Sequence, residues 1–259
     1  MNLGEVKYRF IRTPLEEPLM MLKGMASWPR RLMHPELAAI YAEDGLIKRV
    51  VRRAVGPGTN AVDIGAHYGT MLSAILRRSP KGQHTAFEAI PTKAAFLRQR
   101  FPEVKLHECA LGEAAGSVDF FINTKQSGYS SLARHGDDGD TFQKIQVECD
   151  TLDSRMRDAP PVQFLKVDVE GAEEQVLRGG REFLGEHGPV ILFECGPSGA
   201  AAFGREPVGV FDALVDELGY EVFLMTEWLS DGAACTRGEF EEALVYPFRA
   251  LNWVAQKRS

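Results

Sequence analysis

Ala61-Val-Asp-Ile-Gly-Ala-His-Tyr-Gly69 decides how this chain is read. Three apolar residues, Ala61, Val62 and Ile64, surround Asp63. A run this short and apolar reads as a strand buried in a parallel sheet. It stops at Gly65, and Gly69 follows. Met71, Leu72, Ile75 and Leu76 then recur at helical spacing. The unit is therefore strand, glycine turn, helix. Such a turn sets backbone N–H groups and a helix N-terminus at the carboxyl end of a strand, where open α/β sheets bind nucleotides. Small residues there let a ligand approach the backbone. Glu88 stands 23 positions after Gly65, at the end of the next predicted strand, Gln83-His-Thr-Ala-Phe87. An acid in that place accepts hydrogen bonds from both ribose hydroxyls. A lone Gly-x-x-x-Gly is more often a packing turn. Strand, helix, strand and acid in register favour a nucleotide site.

The chain has 259 residues, enough for one large α/β domain. It is 44% hydrophobic and 25% charged, both ordinary for a globular protein. The net charge of −6 argues against nucleic acid or an anionic membrane as the main partner. The sequence holds no run of 18 apolar residues, so no membrane insertion is expected. The N-terminus is charged by residue 5 and has no apolar core, unlike a secretory signal. Cys109, Cys149, Cys195 and Cys235 are about 40 residues apart and form neither a metal-ligand pair nor a disulfide pattern. Buried reduced thiols in a cytoplasmic protein are the expectation.

Outward from the opening unit, strands and helices alternate. Val6-Lys-Tyr-Arg-Phe-Ile-Arg12 reads as an edge strand. Met20, Met21, Leu22, Met25 and Trp28 form an apolar cluster that covers the site, contacts a second subunit or packs on the domain. Pro35 starts a helix. Residues 1–57 are expected to form an N-terminal helical cap, and residues 58–259 the main globular unit. Val104 to Cys109 is a third strand, followed by Ala110-Leu-Gly112. Ser117 to Asn123 and Lys144 to Cys149 alternate like strands, with Ser127 to Leu132 and an acidic His135 to Asp140 tip between them. They read as a β insertion between the third and fourth core strands. Val162 to Val167 and Pro189 to Phe193 are buried strands, and Tyr220 to Thr226 and Leu251 to Gln256 are the last candidates. The predicted fold is a doubly wound, mostly parallel α/β sheet.

Lys166, Asp168 and Glu170 alternate at the end of the fourth strand and can point one way. Glu194 ends the fifth strand on the same edge. One reading is a proton-accepting site; the other is a structural salt-bridge cluster. Asp168, Glu170 and Glu194 are also oxygen donors of the type that holds a divalent metal. No clustered His or Cys supports a metal, so none is assigned.

These motifs together resemble the FkbM-type methyltransferases. The resemblance rests on Val62-Asp-Ile-Gly-Ala-His-Tyr-Gly69, Phe87-Glu-Ala-Ile-Pro91, Ala110-Leu-Gly112, Ser130-Ser-Leu132, Thr151-Leu-Asp153 and Phe164-Leu-Lys-Val-Asp-Val-Glu-Gly-Ala-Glu173. It implies a Rossmann-like, class I sheet of seven strands with the final strand antiparallel. It also implies S-adenosylmethionine as cofactor and methylation of a hydroxyl on a sugar, glycan or natural product. Asp63 with Gly65, Ala66, His67, Tyr68 and Gly69 would then hold the methionine end. Glu88, with Ala89 beside it, would hold the ribose, and Ala110 and Leu111 the adenine. His67 stands where the family usually has asparagine. Two competing functions are a nicotinamide-dependent oxidoreductase and a non-catalytic protein on the same scaffold. The turn lacks the Gly-x-Gly-x-x-Gly spacing of the first, and the intact acidic motifs speak against the second.

Overall fold

The computed structural model describes residues 8–16, 18, 32–124, 130–133 and 141–258. Strand β1 (Ala61–Ile64) lies inside a seven-stranded sheet, and all its residues are buried. On one side it pairs parallel with β2 (His84–Phe87), which pairs parallel with β3 (Lys105–His107). On the other it pairs parallel with β7 (Phe164–Val167), and β7 with β8 (Val190–Glu194). Strand β10 (Asn252–Lys257) runs antiparallel to both β8 and the edge strand β9 (Tyr220–Leu224). A three-stranded sheet of β4 (Ala110–Leu111), β6 (Phe142–Asp150) and β5 (Gly116–Asn123) is inserted between β3 and β7. Fold class and insertion are as the sequence predicts.

Period-two alternation explains why both faces of the sheet are covered. Ala61, Phe164, Leu192 and Val254 share a core with Val50 and Val51 of α1 (Ala38–Ala54), Ile75 of α2 (Thr70–Arg78), and Met225 and Trp228 of α9 (Met225–Leu229). Val62, Leu165, Ile191 and Trp253 join the opposite core. There they meet Val176 of α5 (Glu173–Arg178), Leu184 of α6 (Arg181–His187), Val210 of α8 (Val208–Asp212) and Phe240 of α10 (Arg237–Ala243). Each fully buried aliphatic or aromatic side chain contributes about 1.5–3 kcal/mol. The remaining helices are α3 (Pro91–Arg100), α4 (Leu152–Met156) and α7 (Pro197–Ala202).

The N-terminal segment departs from its expectation. Tyr8 to Phe10 form a 3-10 turn, not an edge strand. Tyr8 and Ile11, three residues apart, both pack with α2 and α3, and that is a 3-10 period rather than a strand period. Val6, the Met20–Trp28 cluster and the His135–Asp140 tip lie outside the described residues. The last helices were not foreseen. The run from Tyr220 leaves the strand at Leu224 because Met225 and Trp228 turn inward on α9. Helix α10 opens on a capping box, with Thr236 and Glu239 each bonding the other's backbone N–H. Cys109, Cys149 and Cys195 are buried free thiols, and Cys235 is half-buried and free. Among the described residues, no helix is long and apolar enough to cross a membrane.

Candidate functional site

The glycine turn is bonded to the end of β2. Gly65 N–H and Ala66 N–H both donate to the Phe87 carbonyl at 3.0 Å. Gly65 has φ 78°, and a Cβ there would lie 1.8 Å from the Asp168 carbonyl oxygen. Only glycine permits that approach, which brings the ends of β1 and β7 together. Asp168 N–H donates to the Ile64 carbonyl at 3.1 Å and closes the same junction. His67 has φ 52°. Histidine and asparagine both enter this left-handed region more readily than most residues, so His67 meets the same backbone demand. Its ring stands edge-on to Tyr68 and to Tyr8, and Tyr8 stacks on Tyr68 at 4.5 Å.

Glu88 is only 6% exposed. One carboxylate oxygen accepts from His67 N–H at 2.7 Å, and the other from Ile90 N–H at 2.9 Å. Burial raises its pKa, while Lys93 and the two backbone donors lower it. Glu88 thus holds the glycine turn as well as facing it. Ala89 and Ala110 share an apolar cluster with Ile90 and Phe120. Leu111 packs elsewhere, in the main core with Leu152 and Leu177.

The acids gather across β1, β7 and β8. Asp63 is 0% exposed, and neither carboxylate oxygen has a hydrogen-bond partner. It stands in register with Lys166 on β7, whose Nζ lies 3.9 Å from Asp63 Oδ1 and 2.6 Å from Asp168 Oδ2. Burial pushes Asp63 up to about 6, against the pull of Lys166. Burial works against the Lys166 ammonium too, but Asp168 and Asp63 outweigh it and raise its pKa. Asp168, Glu170 and Glu194 each offer an oxygen, all within 4.8 Å of one another. Burial, then Asp168 and Glu170, push Glu194 well above the carboxylate range. Such a cluster can take up a proton or coordinate a cation.

The sequence-predicted residues therefore form two groups. Asp63, the 65–69 turn, Glu88, Ala89 and Ala110 lie about the ends of β1 and β2 and the start of the insertion. Lys166, Asp168, Glu170 and Glu194 lie at the ends of β7 and β8. Asp63 and Lys166 join the groups. The Leu111 side chain is not brought into the first. Three residues that pack against these groups or against helix α2 were missed. Glu173 is buried, and one of its oxygens accepts from Val169 N–H and Gly171 N–H, both at 3.1 Å. Burial pushes it up to about 7. Its signal was an acid two positions past a glycine at a helix start. Tyr8 and Glu16 carried no such signal. Glu16 accepts from Ser73 and Arg77 of α2, a contact between residues 57 or more positions apart.

A family profile described as Methyltransferase FkbM domain matches residues 63–222. Among curated proteins, the chain is 34% identical over 104 residues to the phenazine O-methyltransferase PhzM of Lysobacter antibioticus, covering 37% of this chain and 29% of that one. It is 27% identical over 154 residues to the 2-O-methyltransferase NoeI of Sinorhizobium fredii, covering 53% and 63%. It thus spans less than two thirds of the length of these two relatives. Among solved structures, the FkbM methyltransferase of Methylobacillus flagellatus aligns at 15% identity with a TM-score of 0.47, over 88% of this chain and 59% of that one. The profile match begins at Asp63 and runs past Glu194, so it takes in both groups of site residues. The chain belongs to the FkbM-domain methyltransferases, whose methyl donor is S-adenosylmethionine.

Proposed function

We propose that this chain methylates a hydroxyl oxygen of a sugar, glycan or natural product. One observation carries the reading: a fully buried Asp63, with no hydrogen bond and only a long ion pair of 3.9 Å to Lys166, stands in register with that lysine, whose ammonium is bonded to Asp168. That puts an anion suited to the donor and an acid cluster suited to the acceptor on neighbouring strands. Similarity to a phenazine O-methyltransferase and to a 2-O-methyltransferase supports oxygen as the atom modified.

The residues fit the donor. Asp63 has a long ion pair to Lys166, at 3.9 Å, and no hydrogen bond, so its oxygens can still accept from a cationic ammonium. Glu88 keeps lone pairs beyond its two backbone bonds, enough for two ribose hydroxyls. Helix α2 starts without a side-chain cap, its Leu72 N–H faces Asp63, and the positive end of the helix favours a carboxylate. Asp63 and residues Gly65, Ala66, His67, Tyr68 and Gly69 hold the methionine end. Glu88 and Ala89 hold the ribose, and Ala110, with Leu111 behind it, lies against the adenine. When bound, S-adenosylmethionine supplies an electrophilic methyl group. Asp168 accepts the proton of the acceptor hydroxyl, Lys166 steadies the charge on Asp168, and Glu170 and Glu194 bind the acceptor. Fixing that hydroxyl in line contributes much of the rate.

Single-turnover transfer from labelled S-adenosylmethionine to a panel of sugars and hydroxylated natural products, read by mass spectrometry, tests this. Asp168→Asn is expected to slow transfer about 10²–10⁴-fold. Affinity for S-adenosylhomocysteine should change less than about tenfold. Glu170→Gln is the control, since it is the other candidate base. Near wild-type transfer by Asp168→Asn overturns the assignment. Loss of transfer in EDTA, restored by Mg²⁺, would instead assign the three carboxylates to a cation.

A further inference from the structure

Ser130-Ser131-Leu132 takes no part in the chemistry above, yet Ser131 is fully buried. Its Oγ donates to the Glu170 carbonyl oxygen at 2.9 Å. Its backbone pairs with Phe121 of β5 in both directions, N–H to O at 2.8 and 3.1 Å. Ser130 Oγ accepts from Asn123 N–H, also on β5, at 3.1 Å. The inserted sheet therefore presents one hydroxyl, firmly anchored, to the backbone of the acidic loop.

That loop is held in a conformation its residue does not favour. Glu170 has φ 56°, in the left-handed region where a side chain other than Gly, Asn, Asp or His is uncommon. Its carboxylate reaches within 4.8 Å of those of Asp168 and Glu194, against like-charge repulsion. Such a conformation persists only when its surroundings over-determine it. Glu173 bonds Val169 N–H and Gly171 N–H, one on each side of Glu170. The α7 backbone closes on Gly171, where a Cβ would lie 2.3 Å from the Gly199 carbonyl oxygen. The Glu170 carbonyl itself is bonded by Ser131.

We propose that Ser131 is a positioning residue: its hydroxyl holds the Glu170 peptide in the left-handed conformation and so keeps the Glu170 carboxylate beside Asp168 and Glu194. The inserted sheet thereby becomes part of the acceptor side of the site. The proposal rests on the reading that these acids serve the acceptor.

Two measurements on the full chain test it. The first needs no substrate. Amide hydrogen exchange at residues 169–171 should be about tenfold faster in Ser131→Ala than in wild type, the loss expected for one hydrogen bond, with β1 unchanged. Ser131→Cys, close in volume and a weaker donor, should shift the same amides in the same direction, and it serves if Ser131→Ala does not fold. The second is a double-mutant cycle in single-turnover transfer. Ser131→Ala should lower the rate about tenfold with donor affinity unchanged, and should add no further loss in a Glu170→Gln background. Unchanged exchange at 169–171 overturns the proposal. So does an equal loss in both backgrounds, because Ser131 would then act elsewhere. A wild-type chain that transfers no methyl group overturns the function proposed above, and the exchange measurement still decides the role of Ser131.

Discussion

Asp63 shows what the site costs the fold. A carboxylate with no exposure disfavours its own ionised form, and burial outweighs the pull of Lys166, so its pKa is pushed up to about 6 from an ordinary 3.8. The folded pKa lies above the unfolded one, so folding is favoured while Asp63 holds its proton. That contribution is fully present below pH 3.8 and is lost as pH rises through about 6. A shift of roughly two units corresponds to about 3 kcal/mol. Asp63→Asn removes the titration. The melting temperature of the variant minus that of the wild type should therefore rise between pH 4.5 and pH 7.5. At pH 7.5 the same variant should bind S-adenosylhomocysteine more weakly if, as proposed, the Asp63 charge receives the donor's ammonium. Melting curves at the two pH values and calorimetric titration check both halves. A difference in melting temperature that is flat with pH refutes the first.

At the scale of elements, the junction of β1, the glycine turn and β7 depends on backbone touching backbone. Gly58 and Gly65 both have positive φ, 84° and 78°. A Cβ at Gly58 meets nothing within 4 Å, whereas one at Gly65 would lie 1.8 Å from the Asp168 carbonyl oxygen. Gly58→Ala should therefore cost only the left-handed penalty, about 1–2 kcal/mol. Gly65→Ala adds overpacking against the Asp168 backbone, for a total of about 2–5 kcal/mol. Urea unfolding of the two variants measures the difference. Equal losses would mean that β1 and β7 are free to separate at this end. The same closeness ties the glycine turn to the backbone of Asp168, at the start of the acid cluster.

At the scale of the whole molecule, α1 belongs to the sheet. Glu43, buried on α1, accepts from Leu251 N–H at 2.7 Å, Asn252 N–H at 2.9 Å and Asn252 Nδ2 at 2.9 Å. Burial raises its pKa, and those three donors lower it. Val50 and Val51 of α1 complete the core over β1, β7 and β8. We infer that residues 38–54 fold with residues 58–258 as one unit instead of forming a separate cap. Glu43→Ala orphans two backbone donors at the start of β10, each worth about 1–3 kcal/mol. Unfolding should stay a single transition, shifted to lower urea. A second transition assignable to the N-terminal segment would restore the separate cap.

Much of this protein is legible from the chain alone. Apolar runs ending at Gly65, Glu88, Asp168 and Glu194 mark the parallel strands and put their polar residues at one edge, because strand burial and the strand-to-turn break are both local. His67 fits in the same way, through a backbone requirement that its own residue type meets. The tertiary structure alone decided which groups meet. Ser131 and Glu170 are 39 positions apart and Glu43 and Asn252 are 209 apart, distances over which spacing carries no information. The left-handed Glu170, the bonding of Glu88 to the glycine turn and the turning of Leu111 into the core all follow from packing between elements. A sequence pattern records the period of burial, but partners are set by which faces are brought together.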